Sequence, residues 1–325
     1  MCGGAMMQRR AVLFGMASLA TIPRALAQQT ESGLHLTLGT ATPGGSFPAF
    51  GRALIAAVHA VDPGLAVDAK ITKGSTENLT LLKAGKLDLA LVQGEYAYEA
   101  LAAQSDDGDR LSVVAPIDAS PGMFVVPAAS PVRSVHDLRG RAVALGTRGS
   151  GFTIMGRIVL QGSGIDPARD ITPILLDDAA DGATQVLDGR AAALWGASLG
   201  WPGFKTLAEA PGGARFFGPA PEAIPQILAL RASMRPLTVP AGSFRGQDAE
   251  IETVGSWSFI LARPGLDDIA VARLVRAIDR GRETLAQNYL QGRESDPRNL
   301  VSNVPAGWLH PATAAYLREA GAAPK

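Results

Sequence analysis

Residues 39–51 read GTATPGGSFPAFG and lie between two apolar segments, LHLTL at 34–38 and ALIAAVHAV at 53–61. The first segment alternates apolar and polar residues, which predicts a β-strand. The second carries an apolar stripe at helical spacing, including Leu54 and Val58, which predicts a helix packed on a sheet. Glycines between a strand and a helix allow the backbone to approach a ligand or another segment closely. The stretch therefore predicts a strand–loop–helix unit whose loop is a candidate binding site.

The same pattern returns later in the chain. LGTATPGGSFPAFGRALI at 38–55 aligns with LGTRGSGFTIMGRIVL at 145–160, which places Phe47 and Phe152 at equivalent positions 105 residues apart. A second echo, at a spacing of 104 residues, pairs two glycines that each end a helical pattern before a strand. Two echoes at matching offsets indicate one supersecondary unit used twice, and therefore two lobes.

Strands alternate with helices through most of the chain, which predicts an α/β fold with mostly parallel strands. In such sheets ligands bind beyond the carboxyl ends of strands, where both glycine loops lie. We expect two lobes with a central cleft, the first formed by residues 28–119 and 263–325 and the second by residues 120–262. Beyond the first unit, the predicted strands are 66–71, 87–92, 111–117, 124–127, 142–145, 191–195 and 257–262, and the predicted helices are 75–84, 152–161, 179–187, 266–288 and 312–320.

The N-terminus has the composition of a signal peptide. Arg9 and Arg10 precede an apolar run at 11–22 that is too short to span a bilayer, and Ala-Leu-Ala at 25–27 is a cleavage site. We expect residues 1–27 to be removed and the mature protein to be periplasmic and soluble. The paired arginines leave both Sec and twin-arginine export open. The single cysteine, Cys2, would leave with the signal peptide.

Composition and motifs argue against several function classes. The mature chain keeps 27 basic against 30 acidic residues, which gives no indication of nucleic-acid binding. Neither glycine loop ends in Gly-Lys-Ser/Thr, and both lack the G-x-G-x-x-G and G-x-S-x-G spacings. The four histidines are scattered, without a metal-binding pair. We therefore expect no catalytic residues, no cofactor and no metal, and we expect a binding protein rather than an enzyme.

Three predicted helices begin beside serines at the expected cleft. Ser46, Ser75 and Ser150 each precede a helical pattern. Helix N-termini offer backbone N–H groups without intrahelical partners and a partial positive charge, which suits an anion such as a carboxylate. The alternative is that each serine is only an N-cap.

Several blocks resemble the TAXI family, the extracytoplasmic solute-binding proteins of TRAP (tripartite ATP-independent periplasmic) transporters. The blocks are GTATPGGSFPAFG, TKGSTENLTLLKAGKLDLALVQGEYAY, DLRGRAVALGTRGSGFT, VPAGSFRGQDAEIETVG and LHPATAAYLREAG, and they follow one another through almost all of the mature chain. The resemblance implies a two-lobed, type II periplasmic-binding-protein-like fold with two mixed sheets flanked by helices. It also implies delivery of a glutamate-, glutamine- or 2-oxoglutarate-like solute to a fused large and small permease subunit in the membrane.

The resemblance also implies which residues bind the solute. They lie in the two glycine loops, in the G-S-x-E-N block and after two later strands. The sequence departs from the family pattern at Pro48, at Phe152 and at residues 196–202, which puts the ligand in doubt. The implied binding residues are Thr40, Thr42, Gly45, Phe47, Ser75, Glu77, Asn78, Gln93, Tyr96, Arg148, Gly149, Ser150, Gly151, Phe152, Thr153, Ser198 and Trp201.

Charged residues near the loops leave the solute open. Glu77 is a poor neighbour for a dicarboxylate and indicates an amino group on the solute, unless it serves only as a first-turn acid. Arg148 and Lys73 either pair with a carboxylate or point to solvent. An ABC importer receptor or a periplasmic ligand sensor would use the same two lobes, and a cleft enzyme with an unrecognised mechanism is a third alternative.

Overall fold

A computed structural model describes residues 1–3, 33–104, 110–231 and 233–322. The chain divides into two compact units, Met1–Ser32 and Gly33–Lys325, and the fold below is that of the second unit. The predicted signal peptide and its cleavage site lie outside the described residues, apart from residues 1–3.

The described residues form an α/β fold, as predicted. The strands are β1 Leu34–Gly39, β2 Leu65–Lys70, β3 Leu89–Val92, β4 Ser112–Pro127, β5 Ala142–Thr147, β6 Thr172–Leu176, β7 Ala193–Ala197, β8 Ala214–Phe217, β9 Arg235–Val239 and β10 Ile251–Ala262. The α-helices are α1 Ser46–Val61, α2 Ser75–Lys83, α3 Gly94–Ala102, α4 Gly151–Gly162, α5 Asp181–Leu187, α6 Pro202–Glu209, α7 Ile224–Leu230, α8 Asp268–Arg280, α9 Arg282–Asn288, α10 Leu300–Asn303 and α11 Pro311–Glu319.

The sheet is mixed. Its strand order is β2-β1-β3-β10-β4-β7-β5-β6, with β8 beside β4 and β9 beside β10. β1 runs parallel to β2 and β3, and β5 runs parallel to β6 and β7. β4 and β10 are antiparallel to each other and to their other neighbours. Each parallel group therefore belongs to a sequence copy of the strand–loop–helix unit, and the prediction of mixed sheets flanked by helices is confirmed.

The buried side chains form four clusters, two in each half of the sheet, and these halves are called the first and second lobes. In the first lobe, β1, β2 and β3 pack against α1 and α8 on one face, and on the other face β3, β4 and β10 pack against α3 and α11. In the second lobe, β5 and β7 pack against α4 and α7 on one face and against α5 and α6 on the other. α1 illustrates the packing, because its stripe of Phe50, Leu54 and Val58 is 0 to 1% exposed.

The long strands β4 and β10 run through both lobes. Ile117 belongs to the core of the first lobe, whereas Phe124 on the same strand belongs to the core of the second. On β10, Val254 lies in the second core and Phe259 in the first. The prediction of separate strands at 111–117 and 124–127 was wrong, because β4 continues through its internal prolines, and the pairing of Pro116 with Phe259 lies at an irregularity where a proline is tolerated.

The single helix predicted at 266–288 was also wrong. The segment forms α8 and α9, and the break lies at Gly281. A Cβ atom added at Gly281 would lie 3.0 Å from the carbonyl oxygen of Ala57 on α1. The break therefore coincides with a close backbone approach between α1 and the α8–α9 junction, a contact that periodicity along the chain does not reveal.

Candidate functional site

A small cavity lies between the two lobes, at the carboxyl ends of β1, β3, β5 and β7. Its volume is about 50 Å³. A buried water needs about 10–15 Å³ on this scale, so the cavity has room for about four water-sized groups. The cavity is lined by Ala41, Thr42, Gly45, Ser46, Phe47, Gly74, Ser75, Gln93, Gly146, Thr147, Ser150, Gly151, Phe152, Ala179, Trp195, Gly196 and Trp201.

Four helices begin at this cavity. The first or capping residues of α1, α2, α3 and α4 all belong to its lining. Three of these helices were expected at the cleft; α3 was not predicted. Each N-terminus contributes N–H groups without intrahelical partners and about half a positive elementary charge. The cavity is therefore electropositive through its backbone.

The serines at these helix ends have different roles. Ser150 is an N-cap, and its Oγ accepts a hydrogen bond from the Phe152 N–H at 3.2 Å. The caps of α1 and α2 are Gly45 and Gly74, without a side-chain cap, so Ser46 and Ser75 are the first helical residues. The Ser75 Oγ accepts from the Gln93 N–H at 3.1 Å. The N-cap interpretation thus holds for Ser150 alone of the three.

The lobes contact each other around the cavity. The indole Nε1–H of Trp201 in the second lobe donates to the Gly44 carbonyl of the first at 2.9 Å. On another side, a Cβ atom at Gly149 would lie 2.6 Å from the Lys73 carbonyl oxygen, so the two backbones nearly touch. The structure is therefore a closed arrangement in which both lobes enclose the cavity.

Aromatic rings form the apolar part of the wall. The rings of Phe47 and Phe152, one from each lobe, have centroids 6.2 Å apart and are tilted by 53°. Trp195 Nε1–H donates to the Phe152 carbonyl at 2.7 Å, which ties the start of α4 to β7. Trp201 completes the wall and is 5% exposed. A solute here would meet backbone N–H groups on one part of its surface and aromatic rings on another.

The structure brings nine of the predicted binding residues together at the cavity. They come from all four helix starts, from the loop before α1 and from the start of α6. The nine are Thr42, Gly45, Phe47, Ser75, Gln93, Ser150, Gly151, Phe152 and Trp201.

Four predicted residues of the first lobe lie outside the lining. Thr40 donates through Oγ1 to the Lys70 carbonyl at 3.0 Å. Asn78 is fully buried, and its Nδ2 donates to the Thr40 and Leu91 carbonyls, both at 2.8 Å. Tyr96 is partly buried against the first-lobe core. Thr40 and Asn78 therefore hold the backbone around the cavity through hydrogen bonds to carbonyl groups and do not line the cavity themselves.

Glu77 is the fourth, and it caps its own loop. Its Oε2 accepts a hydrogen bond from the Lys73 backbone N–H at 2.6 Å. This geometry matches the first-turn-acid alternative and removes the indication of an amino group on the solute.

Four predicted residues of the second lobe also lie outside the lining. Arg148 is exposed, and Gly149 lies at the lobe contact. Thr153 Oγ1 donates to the Thr147 carbonyl at 2.7 Å and shapes the loop between β5 and α4. Ser198 belongs to a buried network behind Trp201.

That network links the lobes through Ser198. Its backbone has a φ of 72°, in the left-handed region that is uncommon for a residue with a side chain. Its Oγ donates to Asp118 at 2.9 Å and lies 2.7 Å from the Tyr289 hydroxyl. Gln291 Oε1 accepts from the Leu199 N–H at 2.5 Å. The loop that carries Trp201 is thus attached to β4 and to the segment after α9.

Two carboxyl groups of this network have altered acidity, Asp118 and Glu294, and the Oε1 of Glu294 accepts a hydrogen bond from Gln291 Nε2 at 3.1 Å. Burial raises the pKa of Asp118, despite hydrogen bonds from Ser120, Ser198 and Tyr289 that lower it. Burial, and then the nearby Asp118, raise the pKa of Glu294 to about 7. Beside the cavity, burial likewise raises the pKa of Glu95, which accepts a hydrogen bond from Ser256.

Sequence reasoning missed several lining residues. Gly146 and Thr147 correspond to the Leu-Gly-Thr strand end of the first unit, so the repeat contained a signal for them. Trp195 and Gly196 follow from their place at the carboxyl end of β7. Ser46 was placed at the expected cleft but was not among the implied binding residues, and Ala41, Gly74 and Ala179 have no side-chain chemistry that would identify them in a sequence.

None of the lining residues carries a formal charge. The described part of the chain contains no group of three or more His, Cys, Asp or Glu side chains that could hold a metal ion. Among residues 1–3, 33–104, 110–231 and 233–322, every helix is too short or too polar to traverse a bilayer.

The chain is similar to several solved structures at low sequence identity. A protein of Bordetella bronchiseptica RB50 superposes with a TM-score of 0.52 at 16% identity, covering 90% of each chain. The periplasmic aliphatic sulphonate binding protein SsuA of Escherichia coli gives a TM-score of 0.49 at 20% identity over 90% of this chain and 94% of the other. A putative L-cystine ABC transporter protein of Listeria monocytogenes gives 0.48 at 14% identity over 81% and 98%.

The expected periplasmic-binding-protein-like fold is confirmed by the two lobes and their strand order. The model of the NMT1-like family matches residues 38–321, which include all ten strands except the first residues of β1. The chain belongs to the NMT1-like family.

Proposed function

We propose that this protein is an extracytoplasmic receptor that encloses a small carboxylate between its lobes and delivers it to a TRAP-type membrane permease. The observation that carries the proposal is the cavity itself, where four helices begin and which both lobes close. The expected signal peptide supports a periplasmic location.

The helix ends favour an anion. An exposed helix N-terminus stabilises a negative group by about 0.3–1 kcal/mol, and partly buried geometries give up to about 2 kcal/mol. No lining carboxylate opposes a bound anion, and no lining cation neutralises it. The backbone donors and the hydroxyls of Ser46 and Thr42 would then bind the solute. Arg148 and Lys73 are exposed at the rim, where they attract an anion without contacting it.

The size and the walls favour a small solute with an apolar part. About 50 Å³ accommodates a carboxylate of a few carbon atoms better than a glutamate-like molecule with three charged groups. The rings of Phe47 and Phe152 would contact the carbon atoms. The Glu77 carboxylate accepts a hydrogen bond within its own loop and no longer indicates an amino group on the solute. We therefore favour monocarboxylates and 2-oxo acids over amino acids as solutes.

Closure would couple binding to delivery. Both lobes contribute lining residues, so the solute gains its full set of contacts only in the closed state and shifts the population toward it. We propose the hinge where β4 and β10 cross between the cores, between Ile117 and Met123 and between Val254 and Phe259. The lobe boundaries after residues 119 and 262 belong to this proposal.

The permease class rests on the resemblance of five sequence blocks to TAXI receptors. An ABC importer receptor or a sensor subunit would use the same cavity and hinge. Reconstitution separates them: the receptor with a TRAP permease in vesicles should drive solute uptake under a sodium gradient without ATP. Uptake that requires an ATPase partner would favour the ABC alternative.

Thermal unfolding tests the binding proposal. Residues 28–325 are heated with a panel of carboxylates of two to six carbons, and each acid is paired with its neutral amide as a matched control. A solute at 100 times its dissociation constant adds about 2.7 kcal/mol of stability. Stabilisation by acids and not by amides supports the proposal, and conversion of a bound compound, followed by NMR, would identify an enzyme instead.

A further inference from the structure

Trp201 lines two separate spaces between the lobes. One is the cavity of about 50 Å³, and the other is an open cleft of about 570 Å³. Ala49 and Tyr289 of the first lobe and Phe244 of the second also line the cleft. Trp201 is the only side chain of the described residues that belongs to both linings.

We propose that the indole of Trp201 is a partition that separates the solute cavity from this cleft and thereby limits the length of the solute. The inference deepens the proposed function and rests on it for the class of solute. It gives one side chain a role in solute specificity. It also identifies a volume beyond that side chain that the solute does not use.

The indole is held in place on several sides. Its six-membered ring lies against Gly196 of β7, where an added Cβ atom would be 2.0 Å from Cζ3. It also lies against Gly203 of α6, where a Cβ atom would be 2.9 Å from Cζ2. Phe204 meets it edge to face, with ring centroids 5.0 Å apart. The two glycines provide the slot, so the ring has little freedom to leave while the lobes are closed.

The fourth restraint comes from the other lobe. Nε1–H donates to the Gly44 carbonyl at 2.9 Å, within the glycine-rich loop that precedes α1. The side chain therefore has two separable functions. Its ring blocks the passage to the cleft, and its N–H attaches the second lobe to the first in the closed state.

The cleft beyond the partition suits an extended solute tail. Phe244 and Leu290 provide apolar surface, and Arg245 and Lys205 provide cationic groups, of which Lys205 lies 3.8 Å from Glu209, another lining residue. An aliphatic carboxylate that entered past position 201 would keep its carboxylate at the helix ends and place its chain here. A tail ending in an anionic group would have Arg245 within reach, whereas Lys205 is paired with Glu209.

A chain-length series tests the partition. Calorimetric titrations with unbranched carboxylates of two to eight carbons are made on residues 28–325 and on the variants Trp201→Phe and Trp201→Ala. The wild type should lose about tenfold in affinity for each methylene beyond its longest well-bound acid. Trp201→Ala should bind acids at least two carbons longer, with at least about a tenfold gain for the first of them. Trp201→Phe keeps a ring without the N–H, so it should retain the length limit and weaken every acid by a similar factor.

Two results would overturn the partition: an unchanged length limit in Trp201→Ala, or a limit that moves equally in Trp201→Phe. If Trp201→Ala does not fold by circular dichroism, Trp201→Leu replaces it, because a leucine leaves the same passage open on one side and fills more of the slot.

A crystal structure of the alanine or leucine variant gives a readout that needs no solute. One continuous volume from Gly45 to Tyr289 supports the partition, and two volumes still separated by other side chains contradict it. Failure of the proposed function gives a different result, because the wild type would then bind no carboxylate of any length. The crystal structure of the variant would still test the partition in that case.

Discussion

Phe47 and Phe152 occupy equivalent positions in two copies of one strand–loop–helix pattern, 105 residues apart, and their rings face each other with centroids 6.2 Å apart. Each ring follows the start of a helix that opens at the cavity. The repeated unit thus places the same chemistry, a helix N-terminus and an aromatic ring, on both sides of the cavity. When the lobes close, the helix N-termini and aromatic rings of both units come together around one cavity.

We expect Phe152→Ala to weaken solute binding. The change removes apolar contact with the solute and a ring pair worth about 0.5–1.5 kcal/mol, so the dissociation constant should rise about three- to tenfold. Phe217→Ala is the control, because Phe217 stacks on Phe124 inside the second lobe and does not line the cavity. The control should lower the melting temperature and spare the affinity. If calorimetry shows that Phe152→Ala binds the solute with unchanged affinity, the Phe152 ring is not part of the binding site.

Asn78→Ala should act on stability more than on binding. The side chain is fully buried and donates to the Thr40 and Leu91 carbonyls, which lose a partner in the variant. We expect a loss of about 2–3 kcal/mol in the free energy of unfolding measured with urea. Thr80→Ala, at an exposed position of the same helix, should cost much less. A stable variant that has lost its affinity would instead place Asn78 in contact with the solute.

Gly149→Ala should disfavour the closed state. An added Cβ atom would lie 2.6 Å from the Lys73 carbonyl oxygen across the lobe contact. Because the open lobes have no such clash, the unliganded melting temperature should stay the same while the affinity falls at least about tenfold. Gly307→Ala is the matched control, since a Cβ atom there meets nothing within 4 Å. Equal affinities of the two variants in calorimetry would show that closure does not bring these backbones together.

The contribution of Glu294 to stability should fall as the pH rises from about 5 to 8. Burial and the nearby Asp118 raise the pKa of Glu294 from its ordinary 4.5 to about 7, so the folded state binds this proton more tightly than the unfolded chain does. That contribution is complete below about pH 4.5 and is lost as the pH passes about 7. Glu294→Gln should flatten this dependence by up to about 3 kcal/mol.

The exposed carboxylate of Glu283 provides the control for this experiment. It pairs with Arg293, and Glu283→Gln should leave the pH dependence between 5 and 8 unchanged. Urea unfolding at several pH values measures both variants. Equal pH dependence in Glu294→Gln and the wild type would contradict the raised pKa of Glu294.

The repeat and the strand ends made much of the site predictable. Glycine loops, apolar stripes and the spacing of Phe47 and Phe152 are local signals, and the structure places both loops at the cavity. Features set by distant contacts were missed. Helix α3, which the sequence pattern did not predict, begins at Gly94, where an added Cβ atom would lie 2.4 Å from the Trp257 carbonyl oxygen on β10.

Side-chain roles were the least predictable part. Glu77 and Arg148 lie in the right loops, yet one caps its loop and the other is exposed. Loop position alone does not decide whether a charged group faces a cavity, because that depends on one or two dihedral angles. The sequence showed only that Trp201 lies in a segment that departs from the family pattern. Its position between the cavity and the open cleft depends on the packing of β7 and α6.

A crystal structure with the most strongly stabilising carboxylate tests the central claim most directly. We expect both lobes to enclose the solute. Its carboxylate oxygens should accept hydrogen bonds from backbone N–H groups in the first turns of α1, α2, α3 or α4, and its carbon atoms should lie between Phe47 and Phe152. A carboxylate paired with Arg148 or Lys73 at the rim, or a solute bound outside the cavity, would contradict it.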